Sequence, residues 1–197
     1  MLFIQDIKLD FSDVLIQPKN TSLQSRSEVN LEREFKFPNT EQIWKGVPLI
    51  ASNMDTVGTV EMYHSLKNYN MLTCFHKFLD IYPENDRNKY IVSIGIRDED
   101  FNKLKNLYEI SPEKCNLVCV DVANGYMDSL LVFCQRVREL IPHCILIAGN
   151  VVTGDRTKEL ILEGKVDIVK VGIGNGSVCT TRLQTGVGMP QLSALLE

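Results

Sequence analysis

The sequence has no two cysteines in CxxC spacing, and its three histidines are too scattered to complete a zinc site. It has no Lys/Arg run, and a net charge of −4 leaves no basic footprint for nucleic acid. No apolar stretch is long enough to span a bilayer. The opening MLFIQDIKLDF is broken by Asp6, Lys8 and Asp10, where a secretory leader needs a basic start and an unbroken apolar run. The expectation is a cytoplasmic protein with no membrane or nucleic-acid partner and no disulfide framework. Of its six cysteines, Cys74, Cys119 and Cys144 lie in or beside apolar runs and read as small buried hydrophobes, whereas Cys179 has a different setting.

What is present is ordinary for a globular chain: 44% hydrophobic and 23% charged residues over 197 positions, enough for one sizeable core. The first forty residues are polar and irregular. Short apolar runs then recur at 47–51, 71–75, 91–96, 117–120, 145–148 and 168–171. They lack alternation, which fits strands buried on both faces in a parallel sheet. Helical spacing fills gaps at 101–107, 129–140 and 157–162; the second segment places Leu130, Phe133, Val137 and Leu140 on one face. Strands alternating with helices imply βα units. Polar or glycine-rich signals follow nearly every strand (SNMDTVG, HK, RDED, DVANG, GNVVTG, GIGNGS). That spread favours a barrel, whose site is built from all the strand C-termini. Six strands fall short of eight, and a complete barrel takes about 250 residues. The expected fold is α/β, a (β/α)8 TIM barrel truncated after about six βα units. It forms a single incomplete domain over 1–197, with 1–45 an N-terminal extension and 46–197 barrel strands one to six. Residues 192–197 read as a helix barely begun.

The segment 170–190, KVGIGNGSVCTTRLQTGVGMP, follows the sixth strand. Gly172, Gly174 and Gly176 alternate, which permits positive φ and close approach to a ligand. It is not a dinucleotide fingerprint, which opens a helix after a first strand. Ser177 can donate to a phosphate. Cys179 sits among hydroxyls and near Arg182, where a thiolate is stabilised and can attack an electrophilic carbon. Thr180 and Thr181 offer hydroxyls for proton relay. The same residues also describe a flexible turn with an incidental thiol, and chemistry alone leaves both readings open.

The run GIGNGSVCTTR at 172–182 resembles the active-site loop of the family comprising IMP dehydrogenases and GMP reductases. KLDFSDVLIQPK, SRSEV, ASNMDTVGT, DVANGY and AGNVVTG resemble further family blocks in the expected order, covering nearly all of the chain. Asn175 stands where the family usually has proline; Asn tolerates turns, so a looser loop with unaltered chemistry is expected. TGVGMPQLSA from Thr185, DVANGY from Asp121 and the short link over 78–89 are more similar to the reductase branch, N-terminal part. A dehydrogenase without its regulatory insert stays open. So does a non-catalytic truncated subunit that assembles with full-length partners.

The resemblance implies an NADPH-dependent oxidoreductase of purine salvage that converts GMP to IMP and ammonia through a covalent thioimidate intermediate on Cys179, with Thr181 moving protons. It implies a potassium ion held by carbonyls of Gly174, Gly176 and Cys179, with Arg182 near that site. Ser177 would bind the nucleotide phosphate. Ser25 and Arg26 would meet the NADPH of a neighbouring subunit, with Lys77, Asp121, Val122 and Ala123 on the cofactor side, in a homotetramer when full length. Blander roles compete: a solvated loop for Ser25 and Arg26, a surface lysine for Lys77, helix capping for Asp121. Asn53 and Asp55 divide between support of the site and turn chemistry. His64 and His143 read as structural, and His76 as an outer-shell candidate. Family loops that follow strands seven and eight are not in the sequence, so the isolated chain is expected to be a poor catalyst or none.

Overall fold

A computed structural model describes residues 6–83 and 89–197. Part of the opening segment and part of the 78–89 link therefore lie outside the described residues. Eight strands form, β1 (Arg33–Lys36), β2 (Ile43–Gly46), β3 (Ile50–Ala51), β4 (Leu72–Cys74), β5 (Tyr90–Ile94), β6 (Leu117–Asp121), β7 (Ile145–Val151) and β8 (Ile168–Val171). Between and after them lie α1 (Val60–Leu66), α2 (Asp98–Ile110), α3 (Asp128–Leu140), α4 (Gly154–Leu162), α5 (Thr181–Thr185) and α6 (Gln191–Leu196). β3 to β8 make one six-stranded sheet in chain order, every pairing parallel. The sheet curls into a half-barrel with helices outside, open between β3 and β8.

The apolar runs look continuous because each strand feeds two cores. Leu72, Cys74, Ile91, Leu117, Cys119, Ile145 and Ile147 line the concave side and gather around Trp44. Val92, Val118, Val120, Leu146 and Ala148 face the other way, against Leu104 of α2, Leu130, Phe133 and Val137 of α3, and Leu160 of α4. All six expected strands are present, with shifted ends. The first shrinks to two residues, and the fifth runs on to Val151. α1 was not expected; the Thr59 hydroxyl caps it by accepting from Met62 N at 3.3 Å.

The strand N-termini form a closed floor. β1 and β2 pair antiparallel and bring Trp44 beneath the barrel. The hairpin bounds an apolar cavity of about 270 Å³ with Ile50, Leu72, Leu117 and Ile168. Asp167, its side chain fully buried, accepts from Arg138 at 2.5 Å, from Leu146 N at 2.9 Å and from Asn39 at 3.2 Å. The two ends of the chain meet at the opposite face. Leu9 and Ser193 exchange two hydrogen bonds, at 2.8 and 3.1 Å. Asp10 accepts from Gln191 N and lies 3.6 Å from Arg182. Among the described residues no helix is long and apolar enough to cross a membrane.

Candidate active site

The loop after β8 is shaped by two of its three alternating glycines. Gly172 has φ +137° and Gly174 φ +69°, the region that side chains avoid. A Cβ at 172 would stand 2.6 Å from Gln191 Oε1, and one at 174 would stand 2.8 Å from Cγ of Arg182. Gly176 corrects the sequence reading. Its φ is not positive and a Cβ there would meet nothing nearer than Cys179 Cβ at 3.8 Å, so neither strain nor crowding calls for glycine. Asn175 makes no side-chain hydrogen bond among the described residues, but its amide stands at 3.0 Å from where a Cβ of Gly172 would be.

Cys179 comes at the start of the turn that becomes α5, exposed, its N–H donating to Gly176 O at 3.0 Å. Its thiol donates to Thr181 Oγ1 at 3.2 Å. The Thr181 hydroxyl first, then the Thr181 backbone, and more weakly the Arg182 guanidinium hold its pKa below the ordinary thiol value. The other five cysteines are buried. Burial pushes the thiols of Cys115, Cys134 and Cys144 up to about 12. One exposed thiol therefore stands apart from five buried ones. Arg182 is tied at its terminal nitrogens, donating to Met189 O at 2.8 Å and pairing with Asp10, while its buried Nε has no partner. Gly186, at φ +68°, ends α5 by donating to Arg182 O at 3.0 Å. Ser177 is exposed and makes no hydrogen bond among the described residues.

A second group lies at the C-terminal ends of β6 and β8. Lys170 donates to Asp121 Oδ1 and, at 3.0 Å, to Asn53 Oδ1; Asn53 Nδ2 donates in turn to Ser93 Oγ at 3.1 Å. Asp121 is thus no helix cap, for α3 begins seven residues later after Met127. Asn53 belongs to this bonded group, whereas Asp55 is exposed and makes no bond among the described residues. Lys170 escaped the sequence reading, although a cation inside the apolar run IVKV was the available signal, since a half-buried charge needs a partner. Arg156 also escaped it. It is buried, and donates to Gly125 O at 2.8 Å, Met127 O at 2.7 Å and Glu159 at 2.6 Å. These bonds lock the loop after β6 onto α4. Tyr126 completes the lock through Thr153 Oγ1 at 2.9 Å and Val152 N at 3.1 Å.

The remaining positions are dispersed. Val122 is buried and exchanges backbone bonds with Gly149 and Asn150, while Ala123 is exposed. The ammonium of Lys77 lies 5.2 Å over the Phe78 ring. Ser25 caps a short 3₁₀ turn at Arg26–Glu28 by accepting from Ser27 N, and Arg26 makes no ion pair or side-chain bond among the described residues. No hydrogen bond joins either residue to the Cys179 loop. His64 is exposed beside Tyr63, and the carbonyl of His143 accepts from Thr40 and Gln42. His76 keeps a buried Nδ1 without a partner.

The family model described as IMP dehydrogenase / GMP reductase domain matches residues 8–197. A GMP reductase of Buchnera aphidicola subsp. Acyrthosiphon pisum is 52% identical over 98% of this chain and 57% of its own length. One from Citrobacter koseri is 50% identical over 98% of this chain and 58% of its own. Among solved structures, the inosine 5′-monophosphate dehydrogenase of Legionella pneumophila superimposes with a TM-score of 0.78 at 25% identity, over 97% of this chain and 58% of that one. The chain spans a little over half the length of these relatives.

Proposed function

Since the chain belongs to the IMP dehydrogenase/GMP reductase family, we propose that it carries the nucleophile-bearing part of a GMP reductase centre, contributed by a single incomplete barrel domain behind an N-terminal extension over residues 1–45. The observation that carries this reading is the exposed thiol of Cys179, held on Thr181 beside Arg182 in a loop whose backbone favours glycine at 172 and 174. The two reductases near 50% identity favour the reductase over the dehydrogenase.

In the proposed reaction the Cys179 thiolate bonds to C2 of the guanine ring. The C2–N bond then breaks and the amine departs as ammonia, after gaining protons relayed through Thr181. NADPH, when bound, supplies the hydride that reduces C2. The carbon–sulfur bond then breaks, returning the thiolate and giving IMP. Dividing one difficult substitution into two easier ones is the gain from a covalent thiol. Ser177, free of internal partners, suits the nucleotide phosphate. Arg26, likewise free, suits the cofactor phosphates of a neighbouring subunit, with Ser25 beside it. Lys77, Asp121, Val122 and Ala123 would border the cofactor. A monovalent cation would take the carbonyls of Gly174, Gly176 and Cys179 near Arg182; the Gly176 carbonyl, bonded once to Cys179 N, keeps a second lone pair for it.

The test is NADPH oxidation with GMP beside NAD reduction with IMP, with potassium present and Cys179→Ala as control. GMP-dependent oxidation lost in the control is expected, at a rate below that of a full-length reductase. Activity with IMP and NAD alone would make the chain a dehydrogenase. A folded chain silent in both would fit an incomplete barrel and the non-catalytic subunit alike, and would leave the choice of reaction resting on resemblance.

A further inference from the structure

Lys170 is the least explained charge in the molecule. It stands at the third position of β8, half-buried, where a cation is retained against a desolvation cost. Two of its three hydrogens are committed, to Asp121 Oδ1 and to Asn53 Oδ1. Asn53 is itself fixed by Ser93, so four strands of the sheet region, through Asn53 after β3, Ser93 on β5, Asp121 on β6 and Lys170 on β8, converge on one ammonium. The other carboxylate oxygen of Asp121, Oδ2, accepts nothing among the described residues. Burial pulls the ammonium of Lys170 toward neutrality, but Cys119, then Asp121 by its charge and its hydrogen bond, and last Cys74 more than offset this and raise its pKa above the ordinary lysine value.

We propose that Lys170 is a positioning residue for the cofactor side of the site: by binding Oδ1 of Asp121 and the amide oxygen of Asn53, it fixes the carboxylate so that Oδ2 is the atom left to accept from a polar hydrogen of the dinucleotide. This rests on the reading of Asp121 as bordering NADPH. The physical reason for the arrangement is rotational. A carboxylate held through one oxygen loses its free torsion before the ligand arrives, and the ordering cost is not charged against binding. An arginine would keep the charge and the donors.

The experiment is a calorimetric titration of the purified chain with NADPH and, separately, with GMP, for wild type, Lys170→Met, Lys170→Arg, Asp121→Asn and the Lys170→Met/Asp121→Asn double variant. Lys170→Met is expected to weaken NADPH about tenfold, while GMP affinity stays within about twofold and Lys170→Arg recovers most of the loss. In the Asp121→Asn background the methionine should cost less than about twofold, because there is no carboxylate left to orient. A merely Coulombic attraction of lysine for the anionic cofactor would persist in that background and would overturn the proposal. So would a Lys170→Met chain that binds NADPH like wild type. Lys170→Met leaves Asp121 without its cation and can weaken the fold; the double variant removes both charges and keeps the cycle readable, with thermal melts run on every variant. A wild-type chain that binds GMP but no NADPH would overturn the cofactor assignment of Asp121, and this inference with it.

Discussion

The floor and the mouth of the half-barrel use the same residue types to opposite ends. At the floor Asp167 is fully enclosed and accepts from Arg138, Leu146 N and Asn39, while Arg138 also donates to the carbonyls of Pro142, Cys144 and Lys165. Its charges are spent on internal bonds. At the mouth Cys179 and Ser177 are exposed, and Asp121 keeps an oxygen uncommitted. Stability is concentrated where the strands begin and reactive groups where they end, the division expected of a βα barrel. A polar group that finds all its partners within the protein has nothing left to offer a ligand.

The contrast can be broken most severely at Asp167. Asp167→Ala strands a buried guanidinium and should cost about 3–5 kcal/mol in urea unfolding, against less than about 0.5 kcal/mol for Cys179→Ala. Equal losses would erase the distinction between the two ends.

A smaller effect should appear on raising the pH. Cys115, Cys134 and Cys144 have folded pKa values near 12 against an ordinary 9.0. Above pH 9 the unfolded thiols lose protons that the folded ones retain. The stability these thiols contribute is therefore present in full below 9 and lost as pH climbs toward 12. The loss should be about 1 kcal/mol per thiol by pH 10, read as a falling urea midpoint. Replacing the three by alanine or valine should flatten that alkaline slope; an unchanged slope would assign it to other groups.

The smallest effect is one of rate and not of stability. In the folded protein Cys179 should be the thiol that iodoacetamide labels first, reaching its half-maximal rate below the ordinary thiol pKa. Thr181→Ala removes the main cause of that shift and should move the midpoint upward, as measured by mass spectrometry of the modified peptide.

Much of the scaffold was legible because two-sided burial writes itself as uninterrupted apolar runs, which is why β4 to β8 fall on those runs. α1 was hidden because its seven residues bury Tyr63 and expose His64 and Glu61, too short a pattern to show a period. In the site, the motif around Cys179 is local and could be read directly. Lys170 and Arg156 could not, because what they do depends on groups that are distant in the chain: 49 positions separate Lys170 from Asp121, and 31 separate Arg156 from Gly125. Gly176 shows the reverse error, a glycine credited with a strained backbone on the strength of its neighbours' spacing.

The latch between Leu9 and Ser193 has a consequence for the order of synthesis. The two residues lie 184 positions apart, so the arm that carries Leu9 cannot settle until α6 has been made. Asp10 reaches its partners Arg182 and Gln191 at the same late moment. The six strands of the sheet can pair one after another as they appear, each with its predecessor. The arm beside the Cys179 loop joins only after β8 and α6 exist, and until it does Arg182 lacks its ion pair with Asp10.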